Sequence, residues 1–123
     1  MVVALTLPYP PSVNHYWRHV PNRGTLISKE GREYRTEVCR HIMLIRSQHD
    51  FPMEGRLAVV IHATMPDKRK RDIENIQKAL LDSLEHAGVY IDDSQIDDLH
   101  IIRWGVDPEK KGCVRVIIND IAC

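Results

Sequence analysis

Two carboxylates and a lysine stand close together in the middle of the chain, within the run Arg71-Asp72-Ile73-Glu74-Asn75-Ile76-Gln77-Lys78. A block of four cations, Lys68-Arg69-Lys70-Arg71, leads directly into this run, and a second acidic pair, Asp92-Asp93, follows it. Cationic side chains attract phosphates, and clustered carboxylates hold divalent cations. These residue types together are what the hydrolysis of a phosphodiester bond requires.

The carboxylates become a metal site only if the fold brings them together. A helix that begins at Asp72 and ends near Gly88 could return the chain so that Asp72, Glu74 and one of Asp92-Asp93 converge. Two carboxylates about 4 Å apart repel by about 4 kcal/mol at an effective dielectric constant of 20, so a bound cation would have to offset that cost. Oxygen ligands without paired Cys or His suit Mg²⁺, with Mn²⁺ as a substitute. Lys78 would then neutralise the phosphate or the leaving oxygen.

The same residues also have a purely structural explanation. Asp72 could cap the helix for about 1 kcal/mol, and Glu74 would be favoured by the helix dipole. Glu74 and Lys78 are four residues apart, the spacing of a helical ion pair that contributes a few tenths of a kcal/mol. On this interpretation the chain is a non-catalytic nucleic-acid-binding protein. A protein-interaction module with an acidic helix is a third class, but it leaves the cation block (residues 68–71) unexplained.

The charges are balanced overall but divided along the chain. The sequence has 17 Lys and Arg and 17 Asp and Glu. Residues 1–71 hold 12 cations against 6 acids, whereas residues 72–100 hold 1 against 8. This division predicts a basic flank that grips phosphates beside an acidic pocket, although uneven surface charge without a function gives the same counts.

Length and composition limit the class of protein. A chain of 123 residues suits one domain, residues 1–123, with a core of its own. No apolar run approaches the ~20 residues of a membrane span, and no signal peptide is recognisable. Cys39, Cys113 and Cys123 form an odd, scattered set, which indicates reduced thiols and a cytoplasmic location. The seven histidines lack the spacing of a zinc site.

The hydrophobic pattern predicts an α+β fold with the element order β-α-β-α-β-β. Strands are expected at residues 2–7, 56–64, 96–106 and 113–118, and helices at residues 29–47, capped by Ser28, and 72–87. We expect a two-layer domain with a small mixed β-sheet, two helices on one face, and a hairpin formed by the last two strands. Residues 12–25 read as a loop between prolines.

That loop and the first helix contain further candidate contacts with nucleic acid. Asn14, Tyr16, Trp17 and Arg18 could contact a sugar-phosphate backbone or an unpaired base, or they could pack over the core. Arg32 and Arg35 could extend a phosphate-binding face, with a solvated helix face as the alternative.

At this point the residues match a known family. The chain resembles the RusA-type Holliday-junction resolvases, small DNA endonucleases of bacteria and their phages. The resemblance runs through several motifs in order, namely Leu5-Thr6-Leu7-Pro8-Tyr9-Pro10-Pro11-Ser12, Asn14 with Tyr16 and Arg18, Ser28-Lys29-Glu30-Gly31-Arg32-Glu33-Tyr34-Arg35, the stretch from Met65 to Lys78, and Ala87-Gly88-Val89-Tyr90-Ile91-Asp92-Asp93-Ser94-Gln95.

The resemblance implies a single endonuclease domain that acts as a homodimer on a four-way DNA junction, each subunit making one Mg²⁺-dependent nick in recombination and repair. It implies that Asp72 and Asp93 hold the metal and that Lys78 is the active-site lysine, and we expect Glu74 to be a ligand with them. Arg71 lies where the family places a basic residue beside the site, and we expect Lys68, Arg69, Lys70, Asn14 and Arg18 to contact DNA with it. Glu74 stands where the family more commonly has Asp, so it keeps the charge but adds a methylene.

Overall fold

The computed structural model describes residues 1–121, so Cys123 lies outside the described residues. The elements are β1 (Val2–Pro8), α1 (Val13–Tyr16), β2 (Trp17–Val20), β3 (Gly24–Ile27), α2 (Lys29–Ile45), β4 (Leu57–Met65), α3 (Gln77–His86), β5 (Ile96–Val106) and β6 (Cys113–Asp120). Short 3₁₀ turns occupy Arg46–Gln48, Ile73–Ile76 and Asp93–Gln95. The predicted mixed α+β class is confirmed, and β5 has the predicted bounds.

The main sheet has four strands in the order β1-β6-β4-β5. Strand β6 is antiparallel to β1 and to β4, whereas β4 and β5 are parallel. The predicted hairpin of the last two strands is wrong, because β4 lies between β5 and β6. Helix α3 connects the parallel pair, as parallel strands require a crossover. The turn after β5 then passes over the end of β4, where a Cβ at Gly112 would lie 3.0 Å from the Thr64 carbonyl oxygen.

Helices α2 and α3 cover one face of this sheet. Alternate residues of β4 are buried, as an amphipathic strand predicts, and they share one apolar cluster with both helices. Helix α2 contributes Tyr34, Val38 and Ile42, and α3 contributes Leu80 and Leu84. These inward positions agree with the helical spacing of apolar residues in the sequence.

The first helix begins as the sequence predicts, but the second does not. Ser28 caps α2 as predicted, accepting a hydrogen bond from the Gly31 backbone N–H at 3.0 Å. The second helix does not begin at Asp72, because residues 73–76 form a 3₁₀ turn and α3 starts at Gln77. The Asp72 side chain makes no capping hydrogen bond. The structural explanation for this carboxylate therefore fails.

Residues 12–27, which we call the arm, are more ordered than the predicted loop. They form α1 and a two-stranded hairpin in which Trp17 lies opposite Ile27. Tyr16 is fully buried, and Ser28 Oγ donates to its carbonyl oxygen at 2.9 Å. A Cβ at Gly31 would lie 2.6 Å from that oxygen, so only glycine lets the arm approach α2 this closely. Strands of only four residues carry too little alternation to be recognised in a sequence.

The other face of the sheet, which we call the open face, lies toward solvent. Its exposed apolar side chains include Val2 on β1 and Ile102 and Trp104 on β5, with Trp104 exposed over 64% of its surface. The His62 ring stacks on Trp104 with 4.4 Å between the ring centroids. Within residues 1–121, no helix has the length and apolar character that crossing a bilayer demands.

Candidate active site

Three of the four predicted catalytic side chains line one cleft of about 440 Å³. Glu74 comes from the 3₁₀ turn, Lys78 from the first turn of α3, and Asp93 from the turn that precedes β5. Lys78 Nζ lies 3.9 Å from Asp93 Oδ2, and each side chain keeps more than a third of its surface exposed. A cation and two carboxylates therefore share a surface that a large substrate can reach.

The position of Asp93 is fixed by hydrogen bonds around its turn. The Asp93 backbone N–H donates to Glu85 Oε1 at 2.7 Å, which ties the turn to the end of α3. Asp92 caps the turn by accepting from the Ser94 backbone N–H at 2.9 Å, and this bond lowers the pKa of Asp92. Gln95 Nε2 donates to the carbonyl oxygens of Met53 and Gly55. The turn is thereby attached to the chain leading into β4.

Carboxylate oxygens of Glu85, Asp92 and Asp93 lie within 4.8 Å of one another. Glu85 and Asp92 each already accept a backbone hydrogen bond, and Asp93 is the member that also lines the cleft with Glu74. The donor set consists of oxygen atoms alone, which fits a hard divalent cation such as Mg²⁺ or Mn²⁺. Asp98 lies apart from this group and pairs with His100 at 2.9 Å.

Asp72 lines a second cavity that adjoins the cleft. The two share one residue, Asn75, which lines each of them. Asp72 is exposed and is not part of the close acidic group around Asp93. Among the ion pairs of residues 1–121, Lys78 pairs with Asp93 and not with Glu74, so the helical pair offered by the structural explanation does not form.

The cation block is organised by an acid that the sequence analysis did not single out. The Asp67 carboxylate accepts two hydrogen bonds from the Arg71 guanidinium and one from the Arg69 backbone N–H. The bonds from Arg71 are the largest cause of a pKa lowered to about 2 for Asp67. Lys68 and Lys70 are exposed and form no ion pair within the described chain. Within this block they are therefore the cations most available to a phosphate.

A half-buried network holds the arm against both long helices. The Tyr16 hydroxyl donates to Asp82 Oδ2 on α3, and Arg35 on α2 donates to that oxygen at 2.5 Å and to the Tyr16 oxygen at 2.8 Å. Burial raises the pKa of Asp82, but the hydrogen bonds from Tyr16 and Arg35 outweigh it and leave the pKa lowered. Arg35 is therefore neither a solvated residue nor a phosphate ligand, contrary to its two sequence interpretations.

The network decides where the arm lies. Val13 of α1 lines the same cleft as Glu74 and Lys78, and the next residue, Asn14, is exposed. Arg18 is exposed on β2. The arm thus forms one wall of the cleft, and its two predicted DNA contacts are accessible from solvent. Asp67 was recognisable from its position four residues before Arg71, but Asp82 carries no sequence signal because its partners are 47 and 66 residues away.

Comparison with known proteins gives the family. The family model described as Endodeoxyribonuclease RusA matches residues 8–119. A crossover junction endodeoxyribonuclease of Enterobacteria phage HK97 is 46% identical over 99 residues, which cover 79% of this chain and 78% of the phage protein. The Escherichia coli K12 protein of that name is 41% identical over 119 residues, 96% of this chain and 94% of its own. The phage 82 protein is 44% identical over 118 residues, covering 95% and 93%.

Fold, site and comparisons agree on the class of protein. Acidic oxygens beside a lysine and a cation block are the groups that phosphodiester-cleaving enzymes use, and the matched proteins are endonucleases. The chain belongs to the endodeoxyribonuclease RusA family. The predicted family and the predicted enzyme class are confirmed.

The network around Asp82 gives a pH-dependent stability. Asp82→Asn removes the carboxylate that Arg35 and Tyr16 share, so we expect a loss of about 1–3 kcal/mol in unfolding free energy at pH 6.5. The folded pKa is lowered, so the carboxylate's contribution is present above the unfolded pKa of about 3.9 and is lost as pH falls through the folded value. The difference in unfolding free energy between wild type and Asp82→Asn, measured by urea unfolding, should therefore be smaller at pH 3 than at pH 6.5. Asp50→Asn, at an exposed carboxylate, is the control; an equal difference at both pH values for Asp82→Asn would refute the account.

Proposed function

We propose that the protein resolves Holliday junctions, cutting DNA in a reaction that depends on Mg²⁺ with Mn²⁺ as a substitute. The observation that carries this proposal is the cleft in which Lys78 lies 3.9 Å from Asp93 and Glu74 lines the same surface. The relatives named as crossover junction endodeoxyribonucleases support the choice of substrate. We place the activity in one domain, residues 1–123, in the cytoplasm, with a role in recombination and repair.

The proposed metal ligands are Glu74 and Asp93, with Asp72 from the adjoining cavity. When bound there, a divalent cation supplies a Lewis acid that lowers the pKa of water and stabilises charge on the phosphate. The residues fit this role because their donors are carboxylate oxygens with accessible surface. Glu74 reaches one methylene further than the Asp that the family more commonly has.

The remaining residues bind and orient the DNA strand. Exposed Lys68 and Lys70 attract the phosphates of the backbone toward the second cavity. Lys78 neutralises charge on the phosphate at the cleft or on the leaving oxygen, because its ammonium group already lies beside Asp93. Asn14 and Arg18 contact the DNA backbone from the arm. Arg71, held by Asp67, forms part of the wall of the second cavity.

The roles of the acidic residues predict a separation of cutting from binding. Four single substitutions should each reduce Mg²⁺-dependent cleavage of a four-way junction by more than about 100-fold, namely Asp72→Asn, Glu74→Gln, Asp93→Asn and Lys78→Ala. Substituting a group that only supports a metal ligand costs at most about 100-fold, so a larger loss is expected for groups that act directly. Junction affinity of the carboxylate variants should be retained or increased, because removing a negative charge relieves repulsion of the phosphate. Cleavage is measured on a labelled junction, and affinity by gel shift without divalent cation.

Two controls sharpen that experiment. Asp50→Asn removes an exposed carboxylate and should cut as the wild type does, whereas Glu74→Asp keeps the charge and should retain cutting that Glu74→Gln loses. Equal cleavage by wild type and Asp93→Asn would remove Asp93 from the site. A wild type that binds junctions but never cuts them would instead indicate the non-catalytic binding protein.

We also propose that two copies act together, because resolving a junction takes two symmetric nicks and a two-fold dimer supplies two sites. The exposed apolar residues of the open face support pairing with a second copy of the chain. This face exposes Val2 on one edge strand, β1, and Ile102 and Trp104 on the other edge strand, β5, and exposed apolar side chains among polar residues are typical of a protein interface. The open face lies on the side of the sheet opposite α3, which carries Lys78, so pairing through it leaves each cleft accessible to DNA.

The dimer proposal predicts a mass change on a single substitution. Wild type should sediment at twice the 14.2 kDa of one chain. Ile102→Lys, which places a charge in the apolar surface, should sediment as the monomer. Ile91→Lys is the matched control, because Ile91 is 63% exposed but lies outside the open face. A monomeric wild type, or a dimeric Ile102→Lys variant, would exclude this interface.

A further inference from the structure

The cavity beside the cleft has a lining unlike that of a phosphate groove. It holds about 500 Å³, within the range of roughly 300–1,000 Å³ that is common for small-ligand sites. The lining combines an aromatic ring, an imidazole, an amide, a carboxylate, two cations, a hydroxyl and an apolar side chain. These residues are Tyr9, His15, Asn75, Asp72, Lys70, Arg71, Ser12 and Ile76. A site for backbone phosphates alone needs only the cations.

The walls of this cavity are held in place before any ligand arrives. The Tyr9 hydroxyl donates to Met65 Sδ at 3.4 Å, and Asp67 holds the Arg71 guanidinium by two hydrogen bonds. Arg103 on β5 donates to the Arg71 carbonyl oxygen at 2.6 Å, which ties the wall to the sheet. A preorganised wall loses little side-chain freedom on binding, which favours affinity.

Two polar groups on the wall lack partners within residues 1–121. The Asn75 side-chain amide, half-buried, makes no hydrogen bond in that range, and His15 uses Nδ1 with Ser12 Oγ at 3.0 Å but leaves Nε2 without a partner. An amide donates and accepts at once, so it matches the paired donor and acceptor on the edge of a nucleobase. An aromatic side chain such as Tyr9 offers a surface on which a base stacks.

Asn75 connects this cavity with the cleft of Glu74, Lys78 and Asp93. A strand whose phosphate lies in the cleft therefore has its neighbouring nucleotide beside the cavity. We propose that the cavity binds one unstacked nucleotide of the DNA strand, next to the bond that is cut, with the base against Tyr9 and the Asn75 amide. The inference rests on the proposed function and adds a site that reads the strand itself.

In this proposal each residue contacts a different part of the nucleotide. Lys70 neutralises its phosphate, since this side chain is exposed and without an ion pair in the described range. Tyr9 stacks on the base, and Asn75 hydrogen-bonds its edge, which makes the site sensitive to which base is present. Extruding a base costs less where stacking is already interrupted, as at the centre of an open four-way junction, than inside a duplex.

The test removes one base of the junction and the aromatic ring of Tyr9, separately and together. Wild type, Tyr9→Ala and Tyr9→Phe are titrated, without divalent cation, against a set of four-way junctions that carry one abasic nucleotide at successive positions. One position beside the cut bond should weaken wild-type binding by about 5- to 150-fold, the loss expected for one base stacked on an aromatic side chain. The affinity of Tyr9→Ala for the intact junction should be lower than that of the wild type by a similar factor. The abasic nucleotide at that position should not lower the affinity of Tyr9→Ala further, whereas Tyr9→Phe should behave as the wild type.

Asn75→Ala guards against a folding defect in Tyr9→Ala, because it shortens a side chain that has no hydrogen-bond partner in residues 1–121. It should reduce the preference among bases at the same position. Additive effects of Tyr9→Ala and the abasic nucleotide, or equal affinity for every abasic junction, would overturn the nucleotide site while leaving junction cleavage intact. A wild type that neither binds nor cuts the intact junction would overturn the proposed function and this site with it.

Discussion

The return of the chain along α3 is the constraint on which the rest of the site depends. Because β4 and β5 are parallel, the connection between them must cross the sheet, and α3 makes that crossing. The chain leaves β4 through the cation block, turns into α3 at Gln77, and comes back past the same helix before β5. Asp93 can therefore lie 3.9 Å from Lys78 although 15 residues separate them in sequence. A hairpin between the two strands would leave these charges apart.

The acidic residues around this crossover have divided roles. Asp67, Asp82, Glu85 and Asp92 each accept hydrogen bonds that hold a wall or a turn of the site. Asp72 and Glu74 make no such bonds within residues 1–121. The Asp93 carboxylate faces the cleft, 3.9 Å from Lys78 Nζ and within 4.8 Å of the Glu85 and Asp92 carboxylates. A carboxylate that already accepts hydrogen bonds has fewer lone pairs free for a cation, whereas an exposed carboxylate without those bonds keeps all of them. Six of the eight acids between residues 72 and 100 thus fall into two groups. Asp82, Glu85 and Asp92 hold the structure, whereas Asp72, Glu74 and Asp93 line the cleft and the adjoining cavity.

The sequence predicted what depends on local pattern. Apolar spacing placed the inward faces of both helices, Ser28 marked a helix start, and the strand predicted at residues 96–106 has the bounds of β5. It could not predict the strand order, because pairing β6 with β4 is decided by crossover packing that leaves no mark on either strand. The arm was missed since its strands have four residues each, and the Tyr16–Arg35–Asp82 network was missed since its members are distant in sequence. The residues of the cleft were reached through composition and resemblance, but the separate cavity at Asp72 emerged only from the fold.

We propose that a divalent cation binds in the cleft that Glu74, Asp93 and Lys78 line. The most direct measurement is the position of Mn²⁺ in crystals of the protein bound to a four-way junction. Diffraction at the manganese absorption edge gives an anomalous peak for each bound ion. Our account predicts a peak in the cleft, about 2.0–2.6 Å from carboxylate oxygens of Glu74 and Asp93. A peak held elsewhere, with neither carboxylate as a ligand, would contradict it.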